Sequence, residues 1–302
     1  MRNNGTIYDG LNEKRNKYNQ IKNDNESGHV KQSKALHDSS VEFQSFLQNN
    51  NIQGAKVFLH ELNKGLSIDI GNSKTVVLMD ATGSMSHLLQ NAKNTVKVMF
   101  SRVCAVLSKK GVSSECFQLQ YCVYRNYSSN EDKILQVSPW TNKPDILERF
   151  MENVRPEGGQ GNEAIEVGLW HINKISQNDK ISQVILIGDC PPNTIDNIAE
   201  KRGARSSYWN SSKFSSVEYY ERELAKIISK QIPINAFYVD NCAKVKFEEI
   251  ARLTKGQSGF LDINSSSGAD RLTDLVSTEV LRKSAGEDAV KLYREMYPRS
   301  YT

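Results

Sequence analysis

The sequence predicts an α/β fold: a doubly wound, mostly parallel, Rossmann-like sheet with one antiparallel edge strand and helices on both faces. Short runs of bulky apolar residues, such as 76–79 and 184–187, are typical of strands buried on both faces. Segments with apolar residues at three- and four-residue spacing alternate with these runs, which indicates repeated βα units. A short polar loop separates two further strand-like runs, 117–123 and 134–137, which predicts an antiparallel hairpin.

The predicted elements follow one another in the order that this fold requires. The first strand ends near Met79, and the first long helix has apolar positions from Leu88 to Leu107, with Gly111 at its end. The later strands are predicted at 117–123, 134–137, 184–187, 234–239 and 259–263, and the later helices at 144–154, 164–172, 220–228, 247–253 and 267–280. Residues 189–216 show little helical periodicity and are predicted to be a long irregular segment, which is a common place for function.

The chain is predicted to contain four parts. Residues 1–38 carry too few apolar side chains to bury and are predicted to be a flexible polar tail, or a helix that docks only on a partner or on the main domain. Residues 39–66 are predicted to be a helical lead-in. The α/β domain is assigned to residues 67–284, and a C-terminal helical extension to residues 285–302.

Composition and charge exclude several classes of protein. The 302 residues include 39 basic and 35 acidic side chains, and this net charge of +4 does not indicate nucleic-acid or membrane binding. No apolar run approaches the roughly 20 residues of a membrane helix, and no secretory signal follows the first residues. The five cysteines are scattered without CxxC spacing, which favours free thiols over disulfides or zinc. We therefore expect a cytoplasmic protein.

Oxygen-bearing side chains are concentrated in the turn after the first strand. Asp80, Thr82 and Ser84 place one carboxylate and two hydroxyls within five positions. Ligands of open α/β sheets bind at the carboxyl ends of strands, and oxygen ligands suit hard cations. The turn is therefore predicted to bind Mg²⁺, or Mn²⁺ or Ca²⁺. The alternative is that Asp80 only caps the next helix and Ser84 only satisfies backbone groups.

Four motifs occur in a recognisable order along the chain. They are Asp80-Ala81-Thr82-Gly83-Ser84-Met85, Tyr124-Arg125-Asn126-Tyr127, Gly158-Gly159 and Asp189-Cys190-Pro191-Pro192. Together they resemble the metal-ion-dependent adhesion site (MIDAS) of the von Willebrand factor A (vWA) domain family, and most of all an intracellular branch of that family. The resemblance spans roughly residues 70–280.

The resemblance implies a function and a set of ligands. Thr82 and Ser84 would bind the metal directly, while Asp80 and Asp189 would act largely through water. The metal would then coordinate an Asp or Glu of a protein partner, so the chain would be a protein-protein interaction module and not an enzyme. The intracellular branch has an acid after its second-loop glycines, whereas this sequence continues with Gln160, Gly161 and Asn162. We therefore expect the site to be one ligand short there, with Gln160 and Asn162 as substitutes.

A partner-binding surface and two alternative functions complete the predictions. The surface is predicted from the second loop and from a later basic and aromatic stretch: Gly158, Gly159, Gly161, Lys201, Arg202, Arg205, Tyr208 and Trp209. Cations mixed with stacking rings at 201–209 also suit single-stranded nucleic acid, although a solvated insertion is favoured. The second alternative is a phosphatase similar to the haloacid dehalogenases. Those enzymes carry a general acid two residues after the nucleophile, where this sequence has Thr82.

Overall fold

The structure, a computed structural model, describes residues 45, 73–159, 161–299 and 301. The chain divides into two units, residues 1–69 and residues 70–302, and all described residues from 73 onward lie in the second. The predicted tail (1–38) and nearly all of the predicted helical lead-in (39–66) lie outside the described residues.

Six strands of the described part form one sheet with a doubly wound order. They are β1 (Ser73–Asp80), β2 (Phe117–Tyr124), β3 (Leu135–Val137), β4 (Gln183–Gly188), β5 (Ile234–Tyr238) and β6 (Ser258–Phe260). The order across the sheet is β3-β2-β1-β4-β5-β6. Only the β2–β3 pair is antiparallel among these strands, and the other four pairs are parallel. The predicted fold class, including its antiparallel edge strand, is confirmed.

Nine α-helices of the described part connect and cover these strands. They are α1 (Ser86–Lys109), α2 (Pro144–Asn153), α3 (Ile165–Ile175), α4 (Ile195–Gly203), α5 (Ser206–Ser211), α6 (Tyr220–Ser229), α7 (Asn241–Thr254), α8 (Gly268–Ala285) and α9 (Glu287–Met296). A short 3₁₀ turn at Gly83–Met85 joins β1 to α1.

The central strand β1 explains why its sequence is an unbroken apolar run. Val77 and Met79 belong to an apolar cluster with side chains of α1, α2, α8 and α9. Val76 and Leu78 belong to a second cluster with side chains of α3, α6 and α7. Because successive side chains of a strand point to opposite faces, both faces of β1 are buried and both need apolar residues.

The strand order reverses between β1 and β4, and this places the ligand-binding crevice. β1 pairs with β2 on one side and with β4 on the other, in parallel register. In open α/β sheets, the crevice outside the carboxyl ends of the strands at such a reversal is the usual binding site. β1 ends at Asp80, and the residue after β4 is Asp189, so both predicted acids lie at this point.

The segment after residue 284 packs into the same core as the preceding helices. Ala289, Val290 and Tyr293 of α9 are buried in the cluster that includes α1 and α8. The hydroxyl of Tyr293 donates to Asp274 Oδ1 at 2.7 Å. The predicted C-terminal extension therefore does contain a helix, and this helix is part of the domain's packing.

The prediction that residues 189–216 are irregular is wrong, because α4 and α5 lie within them. Helix α4 begins with a reciprocal cap. Thr194 Oγ1 accepts the N–H of Asn197 at 3.2 Å, and Asn197 Oδ1 accepts the N–H of Thr194 at 3.1 Å. Each of these short helices buries one apolar side chain, Ile198 in α4 and Trp209 in α5. One apolar position in a helix is too few to show the three- and four-residue spacing by which helices are predicted from sequence.

The described residues also bear on the membrane and cysteine expectations. Residues 73–299, apart from 160, include no helix with both the length and the apolar character to cross a membrane. All five cysteines lie in the described part, and they are free thiols.

His171 gives the domain a predictable response to acid. Its Nε2 lies 3.0 Å from Gln120 Oε1, and burial, followed by the charge of Lys174, lowers the pKa of His171 to about 4. The unfolded chain takes up this proton near pH 6.5, so folding becomes less favourable as the pH falls from about 6.5 to about 4. Glutamine cannot titrate and can still donate to Gln120. His171→Gln should therefore reduce the loss of unfolding free energy between pH 7 and pH 4 by about 2–3 kcal/mol.

Urea unfolding of both proteins across this pH range measures the effect. His87→Gln changes an exposed histidine of α1 and is the matched control, which should follow the wild-type curve. Parallel curves for His171→Gln and the wild type would show that His171 does not cause the acid sensitivity.

Candidate metal centre at the carboxyl edge of the sheet

The turn after β1 is held from both neighbouring loops. Asp80 is fully buried, and its Oδ1 accepts the N–H of Thr82 at 2.7 Å. The N–H of Ala81 donates to the carbonyl of Tyr124 at the end of β2, at 2.9 Å. The N–H of Gly83 donates to the carbonyl of Gly158 in the second loop, at 3.1 Å. The backbone of the turn is thus fixed before any ligand binds.

The two predicted hydroxyl ligands lie side by side in this turn. Thr82 Oγ1 and Ser84 Oγ are 3.3 Å apart. Thr82 is fully buried whereas Ser84 is exposed, so the pair reaches from the interior of the crevice to its opening. The side chain two residues after Asp80 is therefore a hydroxyl that faces another hydroxyl, at the position where the phosphatase alternative has its general acid.

Three carboxylates of the crevice each have a buried oxygen without a hydrogen-bond partner in the described structure: Asp80 Oδ2, Asp189 Oδ1 and Glu163 Oε2. The three side chains are exposed by 0%, 8% and 2%, so bulk solvent hardly reaches them. Buried polar atoms are nearly always paired, and an unpaired buried charge is costly. Such unpaired oxygens therefore mark a place for a positively charged ligand.

The electrostatics of the crevice lead to the same conclusion. Burial, and next the charge of Asp189, raises the pKa of Asp80 to about 8. Burial, and next the charge of Asp80, raises the pKa of Glu163 to about 9. Asp80 and Glu163 thus resist ionisation, first because they are buried and second because another acid is near. A bound cation would reverse this penalty by supplying the charge that the crevice lacks.

Glu163 is the site residue that the sequence predictions missed. The second loop was expected to lack an acid, but Glu163 lies four positions after Gly159 and points its carboxyl into the crevice. Its backbone is tied to the third loop, because Glu163 N donates to Pro191 O at 2.9 Å and Asn193 N donates to Glu163 O at 3.0 Å. The detectable signal was the next acid after Gly158-Gly159, which comes three positions after Gln160, where an acid was expected.

Of the two residues predicted to substitute for the second-loop acid, the structure describes Asn162 but not Gln160. Asn162 Nδ2 donates to Asn197 Oδ1 of α4 at 2.9 Å, and its carbonyl accepts from Asn126 Nδ2 at 2.7 Å. Asn162 therefore connects the second loop to α4, and Glu163 provides the carboxyl. Gln160 lies outside the described residues.

The ligand types present fit a hard cation. The candidate set consists of hydroxyl and carboxylate oxygens, which is the chemistry of Mg²⁺ and Ca²⁺ sites. Within the described residues, no three His, Cys, Asp or Glu side chains are grouped so that they alone could hold a metal. The carboxylates therefore do not form a complete cage by themselves, and the fit depends on the hydroxyls of Thr82 and Ser84.

Comparison with known proteins gives only structural likenesses. No protein-family model and no curated protein matches the chain. Among solved structures, it is similar to a von Willebrand factor type A protein from Catenulispora acidiphila, with 11% identity and a TM-score of 0.43. It is also similar to the pilus adhesin SpaC from Lactobacillus rhamnosus GG, with 10% identity and a TM-score of 0.47. The α/β fold rests on the chain's own six-stranded sheet in the described part.

The extent of these similarities is limited. Each covers 70% of this chain, but only 43% of the first matched chain and 31% of the second. The chain therefore spans less than half the length of either structure. At such low identity and TM-score, the site of this chain has to be judged on its own residues.

Lys201 is a positive charge close to the crevice. Its Nζ donates to Asn193 Oδ1 at 2.8 Å and to the carbonyl of Asn162. Its charge lowers the pKa of Glu163, against the larger effects of burial and Asp80. Lys201 supplies one positive charge, which is fewer than the three negative charges that the carboxylates would carry if all of them were ionised.

The predicted surface at 201–209 is wrong for Arg202 and Trp209, because both side chains are buried. Arg202 Nη1 donates to Phe214 O at 2.9 Å, and its guanidinium lies 5.6 Å from the ring centroids of Tyr127 and Trp209. These groups pack against each other, so they cannot stack on a nucleic-acid base or contact a partner in this structure.

The side chains of Arg205 and Tyr208 also form hydrogen bonds within the domain. Arg205 Nη2 donates to Asn130 Oδ1 at 2.7 Å, and the Tyr208 hydroxyl accepts the N–H of Glu131 at 2.8 Å. Both side chains are half-buried and hold the loop after β2. Of the predicted surface, Gly158 and Gly161 are exposed and Gly159 is half-buried, next to the turn.

Proposed function

We propose that the chain is a divalent-cation-dependent protein-binding module in which the crevice binds Mg²⁺ and presents it to a carboxylate of a partner. The observation that carries this proposal is the set of three buried carboxylates, each with an unpaired oxygen, beside the Thr82–Ser84 hydroxyl pair. Their position at the reversal of strand order supports it, because ligands bind there in open α/β sheets.

The proposed roles of the crevice residues follow from their charge and their exposure. The hydroxyls of Thr82 and Ser84 would hold the cation, with Asp80, Glu163 and Asp189 around it. When bound, the cation supplies positive charge that compensates the acids and attracts an anionic oxygen from outside. Ser84 is exposed, so the partner would approach on its side of the crevice. Gly158 and Gly161 are exposed as well, and without side chains they leave room for that approach.

Ser84→Ala tests the cation site with little risk to the fold. Ser84 is exposed, and its hydroxyl contacts only the Thr82 hydroxyl among described side chains. Calorimetric titration with Mg²⁺, Mn²⁺ and Ca²⁺ should show saturable binding by the wild type and a loss of about 10–100-fold in affinity for Ser84→Ala.

Ser86→Ala is the matched control, since Ser86 is an exposed serine of the same turn whose Oγ donates to the carbonyl of Gly83 at 2.6 Å. Its affinity should equal that of the wild type. Equal affinities for all three proteins, or no cation binding by the wild type, would refute the proposed site.

Partner chemistry is tested on a peptide array. Peptides that contain Asp or Glu should bind in Mg²⁺ and be released by EDTA, and the same peptides with Asn or Gln should not bind. Binding that survives EDTA would show that the partner does not coordinate the cation.

A further inference from the structure

A second charged site lies at the β6 edge of the sheet, two strands away from β4. A cleft of about 270 Å³ lies between β6, α8 and α9 and the residues that follow α9. Four arginines line it against only two acids: Arg271, Arg282, Arg294, Arg299, Asp262 and Glu279. The excess of guanidinium groups makes this cleft an attractive place for an anion.

The residues after α9 are anchored so that arginine side chains stay at the cleft. The Tyr301 hydroxyl donates to Asp274 Oδ2 of α8 at 2.7 Å. The guanidinium of Arg271 lies 4.4 Å from the Tyr301 ring centroid, and that of Arg299 lies 5.8 Å from it. The Tyr301 ring therefore lies close to the guanidinium of Arg271 on α8 and to that of Arg299 on the segment after α9. Contact with the anchored ring restricts both side chains, which reduces the entropy cost of ordering them around a ligand.

The two acids of the cleft already have partners. Glu279 forms an ion pair with Arg282 through Oε1 and accepts from Asn235 Nδ2 at 3.0 Å through Oε2. Asp262 Oδ1 accepts the N–H of Ser265 at 3.2 Å. Within the part of the chain that the structure describes, Arg294 and Arg299 form no ion pair, and both are exposed. Their charges are therefore available to a ligand.

We propose that this cleft binds a small ligand with two or more phosphate groups. Guanidinium groups bind phosphate through paired N–H donors and stay charged at all physiological pH values. Several arginines converging on one cleft match a ligand whose negative charges are close together, as in a diphosphate. The volume of about 270 Å³ lies below the roughly 300–1,000 Å³ of pockets for drug-sized ligands, which favours a compact polyanion.

Calorimetry with pyrophosphate in the presence of EDTA tests the proposal without contribution from a cation in the crevice. The wild type should bind pyrophosphate saturably, and Arg294→Gln/Arg299→Gln should bind it at least about tenfold more weakly. Both arginines are exposed, so the double variant should keep its melting temperature. Ser84→Ala should bind pyrophosphate like the wild type, which separates this site from the proposed cation site.

The matched control removes the same charge elsewhere. Arg149 of α2 and Arg252 of α7 are exposed and do not line the cleft, so Arg149→Gln/Arg252→Gln should lose less than about threefold in affinity. Tighter binding of ADP than of pyrophosphate would support a nucleotide as the source of the phosphates, and tighter binding of inositol hexakisphosphate would support an inositol polyphosphate. No saturable pyrophosphate binding, or equal losses in the two double variants, would overturn the proposal.

Discussion

Replacing Glu163 by glutamine is expected to stabilise the cation-free protein and to weaken Mg²⁺ binding. Burial raises the pKa of Glu163 to about 9, so ionisation opposes folding as the pH rises from about 4.5 to about 9. Glutamine has a similar shape but no charge to bury. At pH 7 in EDTA, Glu163→Gln should gain about 1–3 kcal/mol of unfolding free energy. It should also lose about 10–100-fold in Mg²⁺ affinity, because an acid near the cation is gone.

Urea unfolding in EDTA at pH 5 and pH 7, together with Mg²⁺ calorimetry, measures both effects. The stability gain should be smaller at pH 5, since less of the charge penalty has developed there. Glu157→Gln is the control. Glu157 precedes the glycines of the same loop and pairs with Lys133 Nζ at 2.9 Å outside the crevice, so this variant should change neither property. If Glu163→Gln lost both stability and affinity, Glu163 would be a structural acid.

Gly159→Ala is expected to damage the same site by a steric route. Gly159 has φ of +96°, and a Cβ there would lie 2.7 Å from Thr82 Cβ and 3.0 Å from Glu163 Oε1. The methyl group would therefore push on the side chain of Thr82, a proposed ligand, and on the carboxyl of Glu163 together. Left-handed backbone strain of about 1–2 kcal/mol and overpacking of about 1–3 kcal/mol should both reduce the unfolding free energy. Cation affinity should fall by about 10–100-fold.

Gly161→Ala separates strain from contact. Gly161 has φ of +69°, but a Cβ there would meet nothing within 4 Å. This variant should lose only the strain term of about 1–2 kcal/mol and keep its cation affinity. Thermal unfolding and Mg²⁺ titration of both variants test the difference. Equal effects on affinity would show that Thr82 is not a ligand.

The strands were predictable from sequence because both faces of the sheet are covered. An apolar run of only four residues at 76–79 sufficed to locate β1, although the strand extends over Ser73–Asp80. Its polar ends pair in register with β2, from Ser73 opposite Phe117 to Asp80 opposite Tyr124. The pattern of apolar residues does not show which residues form hydrogen bonds to a neighbouring strand. The ends of β1 could therefore not be predicted from that pattern.

The candidate site residues that lie at the ends of strands could be predicted from the sequence. Asp80 and Asp189 follow buried strands, and parallel strands end at one edge of the sheet, so their proximity follows from the fold. Glu163 belongs to a loop whose course depends on backbone hydrogen bonds to Pro191 and Asn193, far away in sequence. Local pattern carries no information about such contacts.

The basic stretch misled the sequence analysis for a related reason. Arg202 and Trp209 have the composition of a surface that binds nucleic acid, yet both are buried. A guanidinium can be buried when carbonyl groups and ring faces satisfy its donors, as Phe214 O and the ring of Tyr127 do here. Composition shows which groups are present but not whether their partners lie within the chain.

The pairing of β1 with β4 has a consequence for the rates at which the domain folds and unfolds. Asp80 and Asp189 are more than a hundred residues apart in the chain, so their strands meet only after a long segment has closed, which is a slow kind of contact to form. A cation that requires both acids can bind only once this pairing exists. Its binding would then stabilise the native state and not the species that form earlier on the folding pathway. Such a ligand would slow unfolding and leave the folding rate nearly unchanged, so a cation-loaded chain would have a longer lifetime against transient opening and proteolysis.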